Sequence, residues 1–287
     1  MIDELREKIR LRTRINSACS QFNRKVSHKS WYRQVFGPLY SKRLLFIFGD
    51  QRSGTTALNR ALAKDGRIKG YGEYSELSLD GDEQLRLHET SRLRRQISQN
   101  TCPIILMKPL VESQRARDLL DEFPNGIGVW IFRHYLHVAN SNLSKFGMDN
   151  GKKNLEPIVN GDSQNWRADR VPEETRELIN SHYSEDMNPY DAAALFWVVR
   201  NRFYFEQKLE SEPRVHLMKY ESFAEAPFEN LSKIYGMLGF SPPANAGEEI
   251  HSGSVSKGKD IELSAPVRKI CDEMWERLSE AYDHKAG

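Results

Sequence analysis

The chain has 287 residues, 39% hydrophobic and 29% charged, with a formal net charge of +2. That length suits one large α/β domain, with or without an appendage. The absence of any run of about 18 apolar residues argues against a membrane span. Three widely spaced cysteines, Cys19, Cys102 and Cys271, make neither a zinc site nor a disulfide framework and fit a reducing, cytoplasmic setting.

Charge is uneven along the chain. Residues 1–43 hold 11 Lys and Arg against 3 acidic residues, a net of +8, and the remainder carries −6. Residues 1–42 are read as a basic arm with helical periodicity in Ile2, Leu5, Ile9, Ile15, Cys19, Phe22 and Val26. Such an arm suits peripheral contact with an anionic membrane surface or packing on the core, and both stay open. Residues 43–287 are read as one catalytic domain.

Residues 44–48, Leu-Leu-Phe-Ile-Phe, predict a buried strand. A glycine loop follows, Gly49-Asp50-Gln51-Arg52-Ser53-Gly54-Thr55-Thr56, and then a helix to about Lys64. Strand, glycine loop and helix are the context of a phosphate-binding loop. Thr55 stands where nucleotide triphosphatases carry a lysine for the β- and γ-phosphates. The backbone N–H groups and helix N-terminus still suit an anion, with Arg52 as the local cation.

Further strands are predicted at 67–71, 103–107, 127–132 and 215–218. Helices are predicted at 83–99, 112–123, after Arg133, at 192–209, 228–238 and 266–282. Strands alternating with helices predict a central parallel sheet covered on both faces. Ligands then bind outside the carboxyl ends of the strands. The loop, Lys108 and Arg133 all fall at such ends. Residues 147–188, rich in Gly, Asn, Asp and Lys, contain one helical candidate at 173–180 and read as a lid or acceptor-binding insertion. Ser252 to Lys259 form a loop rich in donors and positive charge. The histidines show no metal-ligand spacing, so no metal is expected.

Arg52-Ser53-Gly54-Thr55-Thr56 after a strand resembles the 5′-phosphosulfate loop of the sulfotransferases that use 3′-phosphoadenosine 5′-phosphosulfate (PAPS). Arg133 at a strand end, with Ser141 eight positions on, resembles the pair that holds the 3′-phosphate in that family. The resemblance spans roughly residues 43–260, and its style is closest to bacterial and tyrosylprotein-type members. It implies a P-loop-like sulfotransferase fold. It also implies a nucleotide site of Gln51, Arg52, Ser53, Gly54, Thr55, Thr56, Arg133, Ser141, Tyr220, Ser256 and Lys257. Lys145 lies four residues after Ser141, on the same helical face, and joins that set.

A sulfuryl group carries one negative charge against about two on a γ-phosphoryl, so a magnesium clamp is dispensable. A hydroxyl or amine acceptor needs a base. Leu110 stands where the cytosolic small-molecule enzymes place a histidine. The glutamate-using relatives imply Glu73 instead, with Glu76 as the alternative and Lys108 stabilising the leaving group. Variable segments 74–100 and 147–188 would form the acceptor site, and their polarity favours a carbohydrate or polar metabolite. The competing function is a P-loop kinase or nucleotide-binding protein with a degenerate loop. No nucleic-acid partner is expected, and the sequence does not set the oligomeric state.

Overall fold

A computed structural model describes residues 42–79, 85–250 and 261–286. The basic arm, Ser256 and Lys257 lie outside the described residues, apart from Lys42 at the arm's end. The centre is a five-stranded, all-parallel sheet in the order β2-β3-β1-β4-β5. The strands are β1 (Arg43–Gly49), β2 (Ile68–Tyr71), β3 (Ile104–Met107), β4 (Gly126–Phe132) and β5 (Val215–Lys219).

Each central strand is apolar on both faces, as a sheet buried on both sides requires. In β1, Leu45 and Ile47 point into a core with Leu58, Leu62, Leu231, Ile234 and Leu238. These come from α1 (Thr55–Ala63) and α9 (Pro227–Leu238). Leu44, Phe46 and Phe48 point the other way, into a larger core. That core takes in α3 (Ala116–Glu122), α7 (Pro189–Glu206) and α10 (Ala265–Ala286). Two helical layers thus enclose the sheet. No helix among the described residues is long and apolar enough to cross a membrane.

Three local expectations need correction. The helix expected over 83–99 begins only at Thr90 and forms α2 (Thr90–Gln99). Residues 85–89 are not helical, and Leu87 bridges Ser78. The reason is Glu112: its buried carboxylate accepts the Leu87 N–H at 2.9 Å and pairs with Arg86 at 3.5 Å, which draws this segment inward. Glu112 itself lies in a 3₁₀ turn, Leu110–Arg115, which precedes α3 and replaces the first four residues of the helix expected over 112–123.

The third correction concerns 147–188. Besides α6 (Glu173–Asn180), this segment holds α5 (Asn150–Val159), with Pro157 inside it. α5 packs closely on α7: a Cβ on Gly151 would meet the Ala193 amide nitrogen at 2.6 Å. Gly151, Ala192 and Ala193 are small because two helix backbones meet there. A short α8 (Tyr220–Glu225) also follows β5 directly. The helix after Arg133 is α4 (Tyr135–Phe146).

Candidate functional site

Parallel register gathers the strand ends. Tyr71 of β2 pairs with Met107 of β3, and Ile131 of β4 pairs with Gly49 of β1. Glu73, Lys108, the loop after Gly49, Arg133 and Tyr220 therefore leave the sheet along one edge.

The loop is built on positive φ angles. Gly49 has φ +126°, and a Cβ there would sit 2.3 Å from the Ile131 carbonyl oxygen. The Ser113 hydroxyl clasps this residue, accepting from Gly49 N at 3.0 Å and donating to Gly49 O at 3.1 Å. Gly54 has φ +95°, and a Cβ there would penetrate the Tyr220 ring, 2.1 Å from Cδ2. Only glycine fits both the backbone and the space. Arg52 adopts φ +68°, a sparsely populated conformation for a residue with a side chain.

Gln51 uses its N–H on the Asp50 carboxylate at 2.7 Å. Ser53 is fully buried, and its hydroxyl has no hydrogen-bond partner among the described residues. Thr55 is also buried, so the position of the triphosphatase lysine holds a small inward side chain. Thr56 is exposed at the first turn of α1.

Two clusters flank the loop. On the β2–β3 side, Lys108 Nζ pairs with Glu73 Oε2 at 2.8 Å and reaches the Thr56 hydroxyl at 3.4 Å. Both partners of the pair are largely sheltered, at 9% and 19% side-chain exposure. Glu76 is exposed and has no such partner among the described residues; its carbonyl accepts from Gln96 at 2.8 Å. On the β4–β5 side, the Arg52 Nε donates to the Ser141 hydroxyl at 3.0 Å. The Arg133 guanidinium lies 4.7 Å from the centre of the Tyr220 ring. Burial pulls the Arg133 pKa down and Arg52 adds to this, while Tyr220 and Glu221 oppose it. Lys145 is exposed one helical turn beyond Ser141.

Beneath the loop lies a buried charge pair that the sequence reading did not single out. Burial pushes the Asp50 carboxyl up to about 7, against the pull of Arg200 and the Gln51 N–H. Arg200, on α7, is drawn down to about 10 by burial, with Asp50 and Glu112 opposing. Its guanidinium donates to Gln114 Oε1 at 3.0 Å and to the Leu110 carbonyl at 2.6 Å. Gln114 in turn donates to the Trp166 carbonyl at 3.0 Å. Hydrogen bonds thus link Arg200, which acts electrostatically on Asp50, to the insertion. The available signal was α7 itself: an arginine in a helix apolar all round must find partners inside.

The arrangement offers two separate sets of groups suited to anions. The loop N–H groups and the Ser53 hydroxyl, which has no partner among the described residues, suit one anion. Arg133, Arg52 and Ser141 suit another. No protein-family model matches the sequence, and no curated protein sequence matches it. Solved structures do. The sulfotransferase domain from the curacin biosynthetic pathway is 16% identical with a TM-score of 0.54, covering 83% of this chain and 98% of that one. The sulfotransferase domain of the Synechococcus PCC 7002 olefin synthase is 16% identical with a TM-score of 0.50, covering 84% and 97%.

Gly54→Ala is expected to destabilise the protein by about 1–3 kcal/mol, because the new Cβ must displace the Tyr220 ring in a disfavoured backbone conformation. Unchanged urea unfolding would contradict the close contact.

Asp50 gives a pH signature. Its folded pKa of about 7 lies above the ordinary 3.8. Between these values the folded chain keeps a proton that the unfolded chain releases, so stability falls as pH rises through that window. Asp50→Asn removes this component. Relative to wild type, the variant should gain stability between about pH 4 and about pH 7 and hold a constant difference above it. A pH-independent difference in unfolding free energy would refute this.

The five-stranded parallel sheet, its flanking helices and its edge-gathered loop are together the sulfotransferase α/β fold.

Proposed function

We propose that the chain transfers the sulfuryl group of PAPS to a hydroxyl or amine of a polar acceptor such as a carbohydrate. The observation that carries this reading is the sheltered Lys108–Glu73 pair, 2.8 Å apart, next to Thr56 of the anion loop. It sets a base and a cation beside the place where a loop-bound anion would react.

In this reading the loop from Gln51 to Thr56 holds the 5′-phosphosulfate. Arg133 and Ser141 hold the 3′-phosphate, with Lys145 and Tyr220 bordering the nucleotide. Ser256 and Lys257 belong to the same proposal by resemblance alone. Glu73 accepts the proton of the acceptor as its oxygen or nitrogen bonds to sulfur. Lys108 stabilises the charge that builds on the bridging oxygen as adenosine 3′,5′-bisphosphate leaves. That stabilisation grows toward the transition state and so favours rate over ground-state binding. The segment after Glu73 and the 147–188 insertion are proposed to shape the acceptor pocket. Their mutual contact supports this: Arg86 pairs with Asp169 across the two segments. Metal independence follows from Thr55 in place of the lysine and from the single charge of the transferred group.

Calorimetry should show adenosine 3′,5′-bisphosphate binding well above 5′-AMP. Arg133→Ala should lose roughly 2–4 kcal/mol of bisphosphate binding, the scale of a sheltered charge-assisted contact. Equal affinity for the two nucleotides would sink the assignment of the 3′-phosphate.

Turnover is read by mass spectrometry across an acceptor panel with PAPS, scoring addition of one sulfuryl group. It should persist in EDTA, and Glu73→Gln should lower it ~10²–10⁴-fold with bisphosphate binding retained. A requirement for Mg²⁺ would favour the kinase reading. A full rate in Glu73→Gln together with a loss in Glu76→Gln would move the base to Glu76.

A further inference from the structure

Arg133, His137 and Ser141 recur every four residues across the end of β4 and into α4. Within α4, residues four apart share a face, so His137 sits one turn before the hydroxyl that Arg52 engages at 3.0 Å. Two permanent cations and a hydroxyl therefore meet beside an imidazole that the nucleotide assignment leaves without a task.

The two neighbouring histidines differ in kind. His134 caps α4, its Nδ1 accepting from the Leu136 N–H at 3.3 Å. Its ring stacks on Tyr135 at a centroid distance of 4.5 Å and meets the tilted Trp275 ring at 4.8 Å. Burial drives its pKa to about 4, so it stays neutral near pH 7. His137 is less committed. Its Nδ1 is buried with no hydrogen-bond partner among the described residues. One carboxylate oxygen of Glu221 is in the same condition, while the other accepts the His134 N–H at 3.1 Å. Burial pulls the His137 pKa down; Arg133 adds to this, and Glu221 opposes it. The His134 ring lies 5.6 Å away.

A third permanent cation here would repel Arg133 and Arg52 whenever the site held no anion. A histidine avoids that repulsion by leaving its proton in solvent, and it regains the charge when an anion arrives. We propose that His137 is a proton-linked third cation of the 3′-phosphate site: neutral without ligand, protonated once a phosphate lies between Arg133 and Ser141. The proposal rests on the assignment of the 3′-phosphate to that pair. The sign follows from linkage. A ligand that binds the protonated ring better raises its pKa, takes up a proton on binding, and loses affinity as pH rises through the bound-state value.

The test is calorimetry of adenosine 3′,5′-bisphosphate and 5′-AMP in buffers of different ionisation enthalpy, across about pH 6.5 to 8.5, on wild type and His137→Gln. The phosphate's own ionisation, near pH 6, is common to both proteins and cancels in the comparison. Wild type is expected to take up a fraction of a proton with the bisphosphate, beyond that with 5′-AMP and beyond that of His137→Gln. Its affinity advantage over the variant should shrink as pH rises, by up to about tenfold per pH unit. A preference for the bisphosphate with equal proton uptake in the two proteins overturns the role of His137 and leaves the phosphate assignment standing. No preference over 5′-AMP overturns both. If His137→Gln does not fold, His137→Asn replaces it, and zero excess uptake by wild type is by itself decisive against the proposal.

Discussion

The site depends on how tightly β1 is held between β3 and β4. At its last residue the backbone of Gly49 comes so close to Ile131 that no side chain fits, and Ser113 grips the same peptide from the β3 side. The chain must turn there, and it turns through Arg52 and Gly54 in left-handed conformations. Strain of this sort persists only where surrounding packing over-determines it. The packing is visible: Tyr220, at the end of β5, lies against Gly54 and under Arg133. One aromatic ring thus contacts both the loop and the guanidinium and couples their positions.

The electrostatics follow from that geometry. Burial disfavours the charge of Arg133, and the nearby Arg52 adds to this. Like charges gathered in a partly dry site raise the energy of the empty protein and lower it when an anion binds. Asp50 provides no simple relief, since its buried carboxyl faces Arg200 and holds a proton up to about pH 7. The loop is therefore flanked on one side by Asp50 and Arg200, whose burial disfavours both charges, and on the other by Arg52 and Arg133.

Much of this was legible in the sequence, and the failures share a cause. The apolar runs of β1 and β4 announced buried parallel strands, and the glycines at and after the end of β1 announced the tight turn into α1. Glu73 and Lys108 were named separately by resemblance; their pairing follows from the β2–β3 register, which no local pattern encodes. Tertiary charges overrode local propensity at 85–89, where Glu112 draws in a segment whose polarity read as helix. In α5, the Gly, Asn and Lys residues read as loop, yet Gly151 marks a close helix–helix approach. Arg200 was hidden because a helix apolar on every side has no polar stripe against which to notice an exception.

The strand order gives the edge a division of labour. The anion loop leaves the central strand, β1. The Lys108–Glu73 pair stands on the β2–β3 side, and Arg133 with Tyr220 on the β4–β5 side. For the proposed transfer, this sets the group that takes the acceptor's proton across the loop from the groups that hold the nucleotide's far phosphate. The reacting centre then falls between them, over the N-terminus of α1, where Lys108 already reaches Thr56. A lysine in place of Thr55 would put a permanent charge at that centre in ground state and transition state alike. Moving the cation to Lys108, on the neighbouring strand, lets it favour the bridging oxygen in particular, which is where a singly charged transferred group most needs help as it departs.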